Sequence, residues 1–197
     1  MDKQTEEILQ KIEEAEYVLV GLGQEFDMEF FLQSREDYRR IREQLQQQNV
    51  LWLLPYVEEQ FRRQYLPEME AEIEKGLQKL AKVLEKKSYF VVSSSLNHKL
   101  AEVPWKKMLL KKERFVAPCG DWTKKQCPDG CEEGIQTVTE ADEEQLQESF
   151  KKLQTNGFSV PNLGKCPKCG KKLVLNNVYA GRYDEKGYLK TWTEYQN

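Results

Sequence analysis

Four of the five cysteines fall into two short-spaced pairs, Cys127-Pro-Asp-Gly-Cys131 and Cys166-Pro-Lys-Cys169, and no other feature of the chain restricts its fold as tightly. Gly130 in the first pair, and Pro167 and Gly170 beside the second, favour tight turns that aim backbone amides at the sulfurs. Two such knuckles bring four thiolates to one point, the common shell of structural zinc, with no position left open for water or substrate. The spacing therefore predicts a zinc-ribbon module with Cys127, Cys131, Cys166 and Cys169 as metal ligands, serving structure rather than chemistry. The competing reading is an unrelated set of buried or redox-active cysteines. Between the knuckles lie 34 residues, which hold an expected helix from Glu143 to Gln154 with Leu146, Phe150 and Leu153 on one face. Cys119 has no knuckle partner and reads as a buried small residue, a spare thiol or a nucleophile.

Cysteines used as ligands fit a reducing compartment. The opening residues, Met1 to Ile12, are charged and amphipathic rather than an apolar leader, so the expected location is cytoplasmic. The longest apolar runs, Tyr17 to Leu22 and Asn49 to Pro55, fall far short of the roughly 20 residues that a membrane span needs. With 197 residues, 39% hydrophobic and 32% charged, the chain fits one domain, or one domain with a small appended module. A net charge of -3 gives no global basic field, so nucleic acid is not an expected partner. Charge is nevertheless segregated: Lys99 to Lys125 holds eight cations against three acids, and Asp129 to Glu148 holds eight acids and no Lys or Arg. Solvated faces are the default meaning of both runs, and an anionic ligand or partner on the basic one is the alternative.

Apolar positions at helical spacing predict helices over Lys3 to Ala15, Arg35 to Gln48, Tyr56 to Tyr65 and Met69 to Lys87, the last with Met69, Ile73, Leu77, Leu80 and Leu84 in one stripe. Tyr17 to Val20 reads as a buried strand ending in a glycine turn, Gly21-Leu22-Gly23. Tyr89 to Val92 is a second short strand, leading into Ser93-Ser94-Ser95, and Arg114 to Ala117 a third, ending at Pro118-Cys119-Gly120. Val50 to Leu54 is ambiguous. Helices between short apolar strands indicate an α/β fold with parallel strands and ligand loops at their carboxyl ends. Trp52, Trp105, Trp122 and Trp192 read as core or rim packing.

The order of these motifs resembles that of sirtuins, and most closely the macrodomain-linked microbial sirtuins. In that group a strand like Tyr89-Phe-Val-Val92 leads into Thr-Thr-Asn-Val-Asp-His-Gln-Phe, where this chain has Ser93-Ser-Ser-Leu-Asn-His-Lys-Leu100. A strand ending in Gln-Gly-Asp-Tyr corresponds to Cys119-Gly-Asp-Trp122, and the second knuckle, Cys-Pro-x-Cys-Gly-Lys-x-Met-x-Met-Asn, to Cys166-Pro-Lys-Cys-Gly-Lys-Lys-Leu-Val-Leu-Asn176. The resemblance runs from about Ala15 to Asn197. It implies a partial, Rossmann-like parallel sheet over residues 1–125, the zinc-ribbon module with its helical insert over 126–180, and a return segment over 181–197 with a helix from Tyr188 to Gln196.

The same resemblance implies NAD or ADP-ribose as ligand, with Gly21, Gly23, Gln24, Glu25, Ser93, Asn97 and His98 as cofactor-binding positions and Cys119 and Asn97 as candidate catalytic positions. Sirtuins open with Gly-Ala-Gly-x-Ser, whereas this chain has Gly21-Leu-Gly-Gln-Glu25, which puts a carboxylate where a phosphate would sit unless Glu25 meets ribose or a cation. The family's Asn and Asp correspond to Ser95 and Asn97, and its general-base histidine, a glutamine in the macrodomain-linked group, corresponds to Cys119. A thiol does not shuttle protons at neutral pH unless its pKa falls, which argues against ordinary deacylation. Asp121 and Glu25 are the carboxylates nearest the expected ligand loops. His98, the only histidine, is read either as ligand-facing or as a packing residue. Only 28 residues follow Cys169, too few for the second half of the family's nucleotide fold, so either the sequence is truncated or the fold persists in shortened form. Two functions follow: an NAD- or ADP-ribose-binding protein related to ADP-ribosyltransferases or deacylases, or a catalytically inactive, zinc-stabilised module for a protein substrate or partner.

Overall fold

A computed structural model describes residues 3–23, 26–100, 114–131 and 134–187. Gln24, Glu25, Trp105, Trp192, the centre of the basic run and the helix expected from Tyr188 to Gln196 lie outside the described residues. The fold is mixed α/β. Three strands, β1 (Tyr17–Leu22), β2 (Ser88–Ser93) and β3 (Phe115–Val116), form a parallel sheet in that order, with Leu19 beside Phe90 and Val92 beside Val116. Three parallel strands in chain order agree with the α/β reading without separating a Rossmann fold from other parallel arrangements. A second, antiparallel sheet holds β4 (Gly120–Gln126) between β5 (Gln136–Thr137) and β6 (Val174–Asn177).

The helices are α1 (Lys3–Glu14), α2 (Met28–Leu32), α3 (Glu36–Gln47), α4 (Leu54–Tyr65), α5 (Pro67–Leu84) and α6 (Glu140–Gln154). The ambiguous stretch before Pro55 is a 3-10 turn, Leu51–Leu53, that runs straight into α4, because Pro55 occupies the first helical turn, where its missing amide costs nothing. Both α3 and α6 end on an asparagine in the left-handed region, Asn49 (φ 55) and Asn156 (φ 61). The next amides then reach back to the helix, Val50 to the Leu45 carbonyl at 2.9 Å and Gly157 to that of Lys152 at 2.8 Å, which satisfies carbonyls otherwise left open. At the other end of α6, Thr139 and Asp142 form a reciprocal capping box.

Two apolar clusters result. In the smaller, Leu77, Ala81 and Leu84 of α5 pack on Val18, Val20, Leu22, Tyr89 and Val91, one face of the parallel sheet, as the helical spacing predicts. In the larger, Tyr38, Trp52, Tyr56 and Phe61 from the 28–66 segment pack against Trp122, Leu146, Phe150, Leu163 and Leu175. Residues on both sides of position 125 therefore share one core.

Two expectations need correction. β1 continues through Leu22, so Gly21 is a strand residue paired with Val92 and not part of a turn. Nor is β1 a buried strand: it lies at the end of the sheet order, and Tyr17 and Leu19 face outward. In α1, Ile8 is exposed and Leu9 and Ile12 are half-buried, as is Ala15 just after it.

Candidate functional site

The four knuckle cysteines meet. Their sulfurs all lie within 4.8 Å of one another, and those of Cys127 and Cys169 are 3.5 Å apart. A tetrahedral four-sulfur shell with Zn–S near 2.3 Å has S···S edges of about 3.8 Å, so this cluster could hold a metal ion and is compatible with structural zinc. The geometry follows from local rules. Cys127 directly follows β4, and Gly130, at φ 68, closes the first turn with its amide 3.0 Å from the Cys127 carbonyl. Gly170, at φ 72, does the same for the second with its amide 2.9 Å from the Cys166 carbonyl. A side chain at either position would strain the left-handed backbone.

The Asp129 amide donates to the Cys127 sulfur at 3.4 Å. Burial pushes the Cys127 thiol up, but the amides of Cys131 and Asp129 and the neighbouring thiols outweigh it and bring the group down to about 7. A buried polar net braces the module. The Gln126 side chain accepts from Asn176 and from the Asp184 amide and donates to the Arg182 carbonyl, while Asn177 donates to the Trp52 carbonyl at 3.0 Å. Asn176 and Asn177 are fully buried, so these bonds fix β6 against both β4 and the helical layer.

The loops after β1 and β2 form a second cluster at the carboxyl ends of the parallel strands. Asp27 bridges them: its carboxylate accepts from the Ser95 hydroxyl and, at 2.8 Å, from the Leu96 amide. The Ser93 hydroxyl accepts from the Ser95 amide, the Ser95 hydroxyl from the Asn97 amide, and the Asn97 side-chain Oδ1 from the Lys99 amide. Beside this loop lies a small cleft, about 20 Å³ and so room for about one water, between Met28, Arg62, Leu77, Asn97, Lys99 and Leu100.

Of the described positions expected to bind cofactor, only Asn97 lines this cleft. Ser93 is buried, and Gly21 sits in regular strand. His98 is buried, and the Trp122 indole donates to its Nδ1 at 2.9 Å. Asp121 accepts from the Thr123 amide and hydroxyl at 2.7 and 2.6 Å and is held by its own strand. Burial, and after it the Asp27 carboxylate, push the Cys119 thiol up, which is the opposite of what a nucleophile or proton shuttle requires. Gln24 and Glu25 are outside the described residues.

Sequence reading missed the buried charges of α4. Glu59 takes a two-pronged contact from Arg62 at 2.6 and 2.8 Å and a further bond from Arg63, and Arg62 also reaches Glu70. Next to it Glu58 is buried with the Tyr38 hydroxyl at 2.7 Å. Burial pushes the Glu58 carboxyl up to about 8; Asp27 and Glu29 add to the rise, while Tyr38 and Arg42 oppose it. For an acid whose folded pKa lies above its unfolded value of 4.5, the stability contribution is full below pH 4.5 and is lost as pH rises through about 8. Chemical denaturation between pH 5 and 9 should therefore show wild-type stability declining by at most about 1.4 kcal/mol per pH unit, with Glu58→Gln flattening the curve. Parallel curves for the two proteins would refute this assignment.

No model of a known protein family matches the chain, and no curated protein sequence matches it. No helix among the described residues is long and apolar enough to cross a membrane.

Proposed function

We propose that this chain is a zinc-stabilised, sirtuin-like binding module that engages a ligand or protein partner without carrying out NAD chemistry. The observation that carries this reading is the fate of the strand-end residues. Ser93, Ser95 and His98 bond to one another's backbone, to Asp27 and to Trp122, and the Cys119 thiol is held protonated, so no described residue at the family's catalytic position is activated for group transfer. The metal belongs to the scaffold, since four thiolates complete its shell.

One observation favours NAD or ADP-ribose binding as a second reading. Asn97 lines a cleft at the carboxyl ends of parallel strands, the usual place for a nucleotide in open α/β sheets. The two readings separate in one set of measurements. Incubation with NAD should release no nicotinamide above background, and Cys119→Ala should leave that result unchanged. Thiol labelling of Cys119 should be slow and insensitive to NAD. Turnover of NAD that Cys119→Ala abolishes would overturn the binding-module reading. A calorimetric signal with ADP-ribose that Asn97→Ala removes, without turnover, would support the cleft as a nucleotide site.

A further inference from the structure

The outer edge of β1 stands out among the surfaces that the metal centre and the cleft leave unused. Tyr17 and Leu19 are 73% and 60% exposed, although their strand neighbours Val18, Val20 and Leu22 pack on α5. A Cβ at Gly21, on the same face, would meet nothing within 4 Å. Sheets built from parallel strands normally have both faces covered. Among the described residues nothing pairs with the far side of β1, which ends the strand order.

The direction of the backbone groups follows from one hydrogen bond. The Leu22 carbonyl accepts from the Ser94 amide at 2.9 Å and so points towards β2. Amide and carbonyl of one residue share a side and alternate along a strand, so Tyr17, Leu19 and Gly21 turn theirs to the open edge. Natural edges are commonly blocked by a lysine, a proline or a bulge. The segment Tyr-Val-Leu-Val-Gly-Leu contains no charge and no proline, and its register with β2 is unbroken. Charge marks the approach: Glu13, Glu14 and Glu16 are exposed immediately before the strand.

We infer that β1 is a docking edge for an extended segment of a partner protein, which adds as a fourth strand, lays apolar side chains over Tyr17 and Leu19, and carries cations towards Glu13, Glu14 and Glu16. This inference rests on the reading of the chain as a binding module, and it names the surface and the chemistry of the partner. Main-chain bonds supply affinity in this mode, and alternate side chains with the acidic flank supply selectivity.

The test uses the full chain and two labelled peptides, acetyl-Lys-Val-Arg-Val-Lys-Val-Arg-amide and its acidic counterpart acetyl-Glu-Val-Asp-Val-Glu-Val-Asp-amide, with anisotropy as readout. The basic peptide should bind at least about tenfold more tightly than the acidic one, and less tightly as salt is raised. Leu19→Pro removes one outward amide, which an edge strand tolerates, and should weaken binding about fivefold or more with metal content and melting unchanged. The triple variant Glu13→Lys, Glu14→Lys, Glu16→Lys alters exposed side chains only and should reverse the preference between the peptides. Equal binding of both peptides, wild-type affinity in Leu19→Pro, or no reversal in the triple variant would overturn the proposal. Self-association of the wild type that Leu19→Pro abolishes would overturn it in favour of a second copy at this edge. Because no NAD assay enters, failure here leaves the binding-module reading to its own test.

Discussion

Protein purified without chelator should contain about one zinc per chain, and removing that zinc, or replacing Cys166 with serine, should unfold the metal module and much of the helical layer with it. The effect is expected to be large because two of the four ligands sit in the core, although Cys131 is half-buried and Cys169 exposed. Cys127 and Cys166 are buried members of the main apolar cluster, which also holds Trp52, Tyr56 and Phe61. Structural zinc sites supply on the order of 10 kcal/mol of apparent binding free energy, comparable with the whole stability of a typical domain, about 5 to 15 kcal/mol. Without the ion, four thiols crowded within 4.8 Å lose the charge that holds them together. Melting followed by near-ultraviolet circular dichroism, with and without chelator, reads the outcome. A metal-free preparation that melts cooperatively at the same temperature would remove zinc from the account of this fold.

Lys125→Met should destabilise the protein by about 3 to 5 kcal/mol, the usual range when one partner of a buried ion pair is removed. The Lys125 ammonium donates to Asp142 at 2.7 Å and to the Leu163 carbonyl at 2.9 Å, and both charged side chains are buried. Asp142 also accepts from the amide and the hydroxyl of Thr139, so the pair joins the start of α6 to the central strand of the metal module. Burial pushes the Asp142 carboxyl up, but Lys125 and Thr139 outweigh it and hold the group below its ordinary 3.8. With the folded pKa depressed, this contribution is present above pH 3.8 and is lost as pH falls through the lower folded value. Wild type should therefore weaken as pH falls from 3.8 towards the lower folded value, and Lys125→Met should show a shallower acid dependence from a lower plateau. Exchanging both charges, as in Lys125→Met with Asp142→Leu, should recover part of the loss, less about 1 kcal/mol for the missing cap. A single variant within about 0.5 kcal/mol of wild type would show that the pair is not closed to water.

That ion pair also shows where reading along the chain stops. Lys125 belongs to the basic run and Asp142 to the acidic run, and each run by itself reads as a solvated face. Only the antiparallel sheet, which brings α6 back over β4, puts the two charges together in a dry place. The same holds for the indole of Trp122 on His98, the hydroxyl of Tyr38 on Glu58, and the outward face of β1. Each depends on residues 20 or more positions apart, or on which neighbour a strand lacks. What the sequence determined by itself was local. Glycine and proline at the knuckles set the turns that bring each pair of thiols to one side, and the spacing of Ile73, Leu77, Leu80 and Leu84 sets the face of α5, because turn geometry and helical period act over a few residues. Tertiary structure decided whether candidate site residues face a cleft or one another, because burial and partner choice depend on contacts that no local period encodes.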